Sequence, residues 1–100
     1  MSADAQRIDL WLWQARFYKT RSLATAVVTK GRVRIARDGT IRRISKASTT
    51  VRPGDELTWP RNGKIVALEI LALGERRGPA AEAQALYRLI ENDETEQARD

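Results

Sequence analysis

Two segments near the start of the chain repeat hydrophobic residues at helical spacing. The first predicts a helix from about Arg7 to Arg16, with its apolar stripe at Ile8, Trp11, Leu12 and Ala15. The second predicts a helix from Arg21 to Lys30, with a buried stripe at Leu23, Ala24, Val27 and Val28. Thr20 is placed to cap the second helix, and Gly31 to end it in a left-handed turn.

After Gly31 the hydrophobic pattern changes to alternation, which is typical of a strand. Val33 and Ile35 alternate with arginines, and the turn signal Asp38-Gly39 follows them. Between Ile41 and Thr50 large apolar residues are sparse, so we expect an irregular, basic loop with one short strand.

A β-hairpin is predicted in the second half of the chain. Pro53-Gly54-Asp55 turns the chain into a strand from Glu56 to Trp59, and Asn62-Gly63 connects it to a strand from Ile65 to Leu73. That last strand is nearly all apolar, so we expect it to be central in the sheet or covered on both faces.

Length and composition fit one small domain. The chain has 100 residues, 42% hydrophobic and 31% charged. We expect a flexible start (1–6), a main domain (7–73), a C-terminal loop with a third helix from Ala80 to about Ile90 (74–90), and an acidic, disordered tail (91–100). The predicted order α-α-β-β-β-β-α defines a small α+β fold.

The net charge of +5 is unevenly distributed. Between Arg7 and Lys46 there are eleven Lys and Arg residues and two acids, whereas 47–90 is near neutral and 91–100 is acidic. A basic block of this kind indicates a polyanion partner, RNA or DNA. The alternative is a solvated surface that only keeps the protein soluble.

Cations open the second helix, where the helix dipole favours acids. Lys19-Thr20-Arg21-Ser22 places two positive side chains and two hydroxyls beside free backbone N–H groups, an arrangement that suits a phosphate. The alternative is that these cations extend into solvent or pair with Asp9. Phe17 is expected in the core, whereas Tyr18 is as well placed for the core as for stacking on a base.

The residue census argues against catalysis. The chain has no Cys and no His, which removes thiol nucleophiles, the usual zinc ligands and the ordinary general base. Asp55 and Glu56 are adjacent and would point to opposite faces of a strand. We therefore expect no enzyme activity, no cofactor and no metal. The polar start and the lack of a long apolar run predict a cytoplasmic protein without membrane contact.

Five short motifs together resemble the RNA-binding domain named after small-subunit ribosomal protein four, over residues 7–59. They are Arg7-Ile8-Asp9, Thr20-Arg21-Ser22, Gly31-Arg32-Val33, Ser45-Lys46 and Pro53-Gly54-Asp55-Glu56-Leu57. Within that group, Trp11-Leu12-Trp13, the run from Ala15 to Arg21, and the run from Glu75 to Ala83 with Leu86-Tyr87 are similar to the heat-shock protein 15 family. The chain departs from the family in lacking Asn before Gly39, so the hairpin geometry is open.

The resemblance implies an alpha-L fold, two helices packed on a small antiparallel sheet, which binds RNA through its second helix and basic hairpin. It also implies binding to ribosomal RNA on the large ribosomal subunit, in recycling or rescue of subunits that carry a nascent chain. By position, the RNA-facing assignment falls on Arg7, Lys19, Thr20, Arg21, Ser22, Lys30, Arg32 and Lys46. Neighbouring cations complete the predicted surface: Arg16, Arg34, Arg42 and Arg43.

Asp9 is expected to orient an arginine, because a carboxylate beside a phosphate is repulsive. Two other functions stay open: a general structured-RNA or transfer-RNA binder, and a protein–protein adaptor that docks through the helix from Ala80 to Ile90. Nothing in the sequence demands a dimer, so we expect a monomer.

Overall fold

The computed structural model describes residues 4–90. The predicted acidic tail and the first three residues of the predicted flexible start lie outside that range. The elements, in chain order, are β1 (Gln6–Arg7), α1 (Ile8–Gln14), α2 (Arg21–Thr29), β2 (Val33–Arg37), β3 (Thr40–Ile44), β4 (Thr50–Val51), β5 (Glu56–Arg61), β6 (Lys64–Ile70), α3 (Ala80–Gln84) and β7 (Tyr87–Leu89). No helix within 4–90 has the length and apolar character needed to cross a membrane.

The predicted α+β architecture is confirmed. A five-stranded antiparallel sheet has the order β3-β2-β5-β6-β7, and β1 pairs with β4 in a separate two-stranded sheet. Helices α1 and α2 pack against each other and share a core with the strands. The nearly all-apolar strand, β6, is interior to the sheet as predicted, although Ile65 at its start is 56% exposed.

Both predicted hairpin turns form. Asp38 and Gly39 have φ of +52° and +80°, and Asn62 and Gly63 have φ of +54° and +79°. Two consecutive left-handed residues are the signature of a tight type I′ hairpin turn. Since Asp tolerates this conformation almost as well as Asn, the hairpin from β2 to β3 closes without the family's asparagine.

Helix α1 ends two residues earlier than predicted, in a left-handed turn at Arg16. The Arg16 N–H donates to the Trp13 carbonyl and the Phe17 N–H to the Leu12 carbonyl, both at 3.1 Å, which is a Schellman motif. Arg16 has φ of +66°, where glycine is usual. The turn redirects the chain so that Phe17 enters the core.

Aromatic side chains form the centre of that core. Trp11 and Trp59 are at most 1% exposed, and Phe17 stacks on Trp11 at 6.4 Å and meets Trp59 edge-on at 5.2 Å. The expectation for Phe17 is thereby confirmed. Tyr18 is half-buried, and its hydroxyl accepts a hydrogen bond from the Trp59 indole at 2.8 Å, so it belongs to the rim of the core.

Between Ile41 and Thr50 the sequence predicts an irregular loop with one short strand, and one strand does occupy the first half of this segment. Residues 40–44 form the edge strand β3, which pairs with β2 along its whole length. Of its side chains only Ile44 is buried, and Ile41 is 70% exposed. An edge strand is held by its backbone pairing, so it does not need the hydrophobic alternation on which the sequence prediction relied.

The predicted third helix is also wrong in its second half. Helix α3 ends at Gln84, and Tyr87–Leu89 pairs antiparallel with Ile70, Glu69 and Leu68 as strand β7. The open edge of β6 offers main-chain partners that outweigh the helical preference of the local sequence. The adaptor hypothesis depended on a docking helix over 80–90 and loses its structural basis.

The buried stripe of α2 is narrower than predicted. Ala24 and Val28 are fully buried and Val27 is half-buried, but Leu23 is 50% exposed. Leu23 lies in the first turn of α2, where the helix carries its cationic residues.

Candidate nucleic-acid interface

A buried carboxylate, Asp9, organises the surface at the start of the two helices. Asp9 is only 1% exposed. It accepts hydrogen bonds from Arg7 Nε at 3.1 Å and Arg7 Nη2 at 3.0 Å. It also accepts from the Leu10 N–H at 2.8 Å and the Thr25 hydroxyl at 3.0 Å. Arg21 Nη2 lies 3.6 Å from Asp9 Oδ1. The expectation that Asp9 orients a neighbouring arginine is confirmed for Arg7, which directly precedes α1. Arg21, the first residue of α2, forms an ion pair with the same carboxylate.

The charges at this cluster are fixed in their ionised forms. Burial alone would raise the pKa of Asp9, but the hydrogen bonds from Arg7, Thr25 and Leu10, with the charge of Arg21, outweigh it, so the pKa lies below its ordinary value. The same contact raises the pKa of Arg7. The side chains of Arg7 and Arg21 are 48% and 44% exposed. Two half-exposed guanidiniums therefore lie beside one buried anion: Arg7 is bound to it by two hydrogen bonds, and Arg21 is attracted to it at 3.6 Å.

The start of α2 forms as predicted. Thr20 Oγ1 accepts the Leu23 N–H at 3.1 Å, so the N-cap is confirmed. The cap uses one acceptor lone pair of the hydroxyl and leaves its O–H free to donate to a phosphate. Lys19 and Ser22 are exposed on either side of it.

The segment that carries Lys46 lies beside this cluster. The Ile8 N–H donates to the Thr49 carbonyl at 2.8 Å and the Asp9 N–H to the Ala47 carbonyl at 3.4 Å. These bonds tie the chain after β3 to the start of α1. We call the exposed cations and hydroxyls here the helix surface: Arg7, Lys19, Thr20, Arg21, Ser22 and Lys46.

Strand register divides the cations of the basic hairpin between two faces. Arg34 lies directly opposite Arg43 and, on its other side, opposite Thr58, so these side chains share one face of the sheet. Arg42 lies opposite the buried Ile35, so it shares the face that packs on the helices. The single continuous basic face that the sequence suggested is thus two surfaces that meet at the edge strand β3.

On the outer face of the sheet, three arginines surround a cavity. Its volume is about 350 Å³, and it is lined by Gly31, Arg32, Arg34, Arg43, Thr58, Trp59, Pro60 and Ile65. Within 4–90 none of these arginines forms an ion pair. Like charges directly opposite each other destabilise a sheet, so the Arg34–Arg43 pair is a cost that an anion would relieve. We call Arg32, Arg34 and Arg43 the sheet surface.

Lys30 borders the sheet surface, whereas Arg16 lies apart from both surfaces. Lys30 lines a cavity of about 280 Å³ with Arg32 and Arg61, so it continues the sheet surface around the end of β5. Arg16 Nε donates to the Gly78 carbonyl at 2.7 Å, which directs this side chain to the C-terminal loop. Sequence reasoning missed Arg61, which follows the strand it predicted and has no basic neighbour to single it out.

A small antiparallel sheet with two N-terminal helices, a cationic second helix and a basic hairpin defines the class of small S4-type domains. Residues 6–57 match the S4 domain family, and the chain belongs to that family.

Among its relatives, the chain is similar to heat shock protein 15, as the sequence motifs indicated. It is 37% identical to the heat shock protein 15 homolog of Haemophilus influenzae over 92% of this chain and 66% of that protein. It is 32% identical to the RQC P-site tRNA stabilizing factor of Listeria monocytogenes over 97% of this chain and 99% of that protein. A solved structure, described as trimeric, of Vibrio cholerae heat shock protein 15 superposes with a TM-score of 0.78 at 37% identity, covering 95% of this chain and 91% of that one. The chain spans 57% of the length of Escherichia coli heat shock protein 15.

Proposed function

We propose that the protein is a non-catalytic RNA-binding protein of the ribosome, which binds ribosomal RNA on the large subunit through its helix and sheet surfaces. The observation that carries the proposal is the pair of half-exposed guanidiniums at the buried Asp9 carboxylate, which Arg7 contacts through two hydrogen bonds and Arg21 through an ion pair of 3.6 Å. A surface that only needed solubility would not require its cations in fixed positions. Two guanidiniums gathered at one buried anion keep N–H donors free for phosphates of a folded RNA.

The two surfaces offer complementary contacts. The helix surface presents guanidiniums and hydroxyls at the start of α2, where the helix dipole adds to the attraction for phosphate. The sheet surface presents Arg32, Arg34 and Arg43 around a cavity. Arg43 of the sheet surface lies on β3 and Lys46 of the helix surface follows the end of β3 by two residues, so one folded RNA can contact both.

The names of the relatives support a ribosomal setting for this chemistry. The large-subunit partner, and a role in recycling or rescue of subunits that carry a nascent chain, are our proposals for this chain. That it acts as a monomer also stays a proposal.

A second candidate is binding of transfer RNA. The observation that favours it is the similarity, over nearly its full length, to proteins named as P-site tRNA stabilizing factors. A competition experiment separates the two candidate partners. At equal concentrations, transfer RNA displaces the protein from large subunits only if transfer RNA is the primary partner.

The proposal is tested by substituting Arg21. Arg21→Gln removes one guanidinium whose only described acidic contact is 3.6 Å long, so we expect unchanged thermal stability and a clear loss of co-sedimentation with large subunits. The control, Arg88→Gln, removes the same charge from an exposed arginine on β7 that pairs with Glu69. Equal co-sedimentation of the two variants would contradict the proposed surface.

A further inference from the structure

A third group of arginines lies at the end of α1, outside both surfaces described above. Arg16, Arg61 and Arg77 line a cavity of about 400 Å³ together with Ala15, Phe17, Ala80, Ala83, Gln84 and Tyr87. They come from the turn after α1, the end of β5 and the loop before α3. Within the described residues no carboxylate lines this cavity, and none of the three arginines forms an ion pair.

The fold holds each guanidinium in place through a main-chain carbonyl. Arg16 Nε donates to Gly78 at 2.7 Å, Arg77 Nε donates to Trp13 at 3.2 Å, and Arg61 donates to Phe17 through Nη2 at 2.9 Å and Nε at 3.2 Å.

Two of the three guanidiniums, those of Arg61 and Arg77, also lie close to aromatic rings. The guanidinium of Arg61 lies 5.6 Å from the centre of the Tyr18 ring, and that of Arg77 lies 5.7 Å from the centre of the Trp13 ring. The positions of these charges are therefore set before any ligand arrives.

These carbonyl contacts use only some of the N–H donors of the three guanidiniums. A guanidinium has five N–H donors, of which Arg16 and Arg77 each use one here and Arg61 uses two. Three cations that converge on one concave site without an acid leave a set of donors suited to an oxyanion.

We propose that this cavity, the arginine pocket, binds a phosphate of the RNA backbone, as a contact beyond the helix and sheet surfaces. Arg61 lines both this cavity and the neighbouring one that contains Lys30 and Arg32, and Arg32 continues into the cavity of the sheet surface. One RNA strand can follow this line of cavities around the end of β5. The inference rests on the proposed RNA-binding function and adds to it a phosphate position of which the sequence indicated only Arg16.

The first test is the salt dependence of RNA binding. Arg77→Gln removes one phosphate contact, so the slope of log affinity against log salt becomes shallower by about 0.7 to 0.9. The matched control, Arg76→Gln, removes the same charge from the adjacent residue, which pairs with Glu82 and does not line the pocket, and leaves the slope unchanged. A slope for Arg77→Gln equal to that of Arg76→Gln would overturn the pocket.

A second measurement uses the unmodified protein and does not depend on RNA. Inorganic phosphate is titrated while the Nε–H signals of the arginines are followed by NMR. We expect saturable shifts for Arg16, Arg61 and Arg77 that exceed those of Arg76 and Arg88. Shifts no larger than those of the two exposed arginines would contradict the pocket even if Arg77→Gln fails to fold.

The two proposals fail in distinguishable ways. If the unmodified protein binds no RNA, the proposed function fails while the phosphate titration still decides whether the pocket holds an oxyanion. If RNA binding depends on Arg21 but its salt slope does not depend on Arg77, the function stands and the pocket fails.

Discussion

Replacing Asp9 by Asn separates orientation from charge in RNA binding. Asp9→Asn raises the net charge by one, so a purely electrostatic surface would bind RNA more tightly. In the structure, however, the Asp9 carboxylate fixes Arg7 through two hydrogen bonds and attracts Arg21. If those fixed positions matter, the variant binds RNA more weakly even though it is more positive.

The contacts of Asp9 determine how much Asp9→Asn lowers the free energy of unfolding. The carboxylate accepts four hydrogen bonds, two on each oxygen. An Asn oxygen in the place of Oδ1 keeps the bonds from Arg7 Nε and Leu10. The amide NH₂ in the place of Oδ2 can donate to the Thr25 hydroxyl, which then donates to the Arg21 carbonyl at 3.0 Å. Only the bond from Arg7 Nη2 is lost outright, so we expect a destabilisation of about 1 to 2 kcal/mol, and a fall in Tm of about 4 to 16 °C.

The assay is fluorescence anisotropy with a ribosomal RNA fragment at neutral pH, well below the Tm of the variant. We expect the Kd to weaken by roughly fivefold, the worth of one well-placed hydrogen bond. The control is Asp38→Asn, which adds the same charge at the turn of the β2–β3 hairpin, where Asn accepts the left-handed φ of +52°. That control binds as tightly as the unmodified protein or more tightly. If folded Asp9→Asn binds as tightly as Asp38→Asn, the two arginines do not need to be held, and the reasoning is wrong.

Three further outcomes follow from the same structure. Arg34→Gln relieves the repulsion from Arg43, so we expect a slightly higher Tm together with a salt slope of RNA binding shallower by about 0.7 to 0.9, whereas an unchanged slope would remove Arg34 from the surface. Burial would raise the pKa of Asp55, but hydrogen bonds from Arg37 and the Arg52 N–H lower it, as those from Arg7, Thr25 and Leu10 lower that of Asp9. The stabilisation by both carboxylates is therefore complete above about pH 4 and is lost as the pH falls through the folded values. An acid titration of the free energy of unfolding should become flatter there in Asp55→Asn, and an equal slope would contradict this account. Thr20→Ala removes the N-cap of α2 and should lower the free energy of unfolding by about 1 kcal/mol in urea, while a loss below a few tenths would show that the cap contributes little.

The parts of the fold that the sequence predicts are those governed by short-range rules. The cap at Thr20 and the turn at Asp38-Gly39 depend on residues a few positions apart, and both form. Strands β3 and β7 depend on partners far along the chain. An exposed edge strand with two arginines carries no local signal of its pairing, so the sequence predicts one short strand there without its bounds. The strand in the alanine-rich segment is mistaken for helix for the same reason.

The site divides in the same way. Asp9 and Arg7 are two residues apart, and their charges alone suggest the contact that forms. The division of the basic hairpin into two faces follows from the pairing of Arg34 with Arg43 and of Arg42 with Ile35, which only the register reveals. The arginine pocket joins Arg16 to Arg61 and Arg77, which both lie more than 40 positions further along the chain, and no spacing rule connects them.

The central claim is that the basic surfaces recognise RNA of the large ribosomal subunit. Binding of the purified protein to free large subunits, free small subunits and bulk transfer RNA across a salt series tests it most directly. The account predicts a preference for large subunits and an affinity that falls by orders of magnitude from low to moderate salt, because several phosphates are contacted. Equal, weak binding to all three would contradict it and leave only a basic surface.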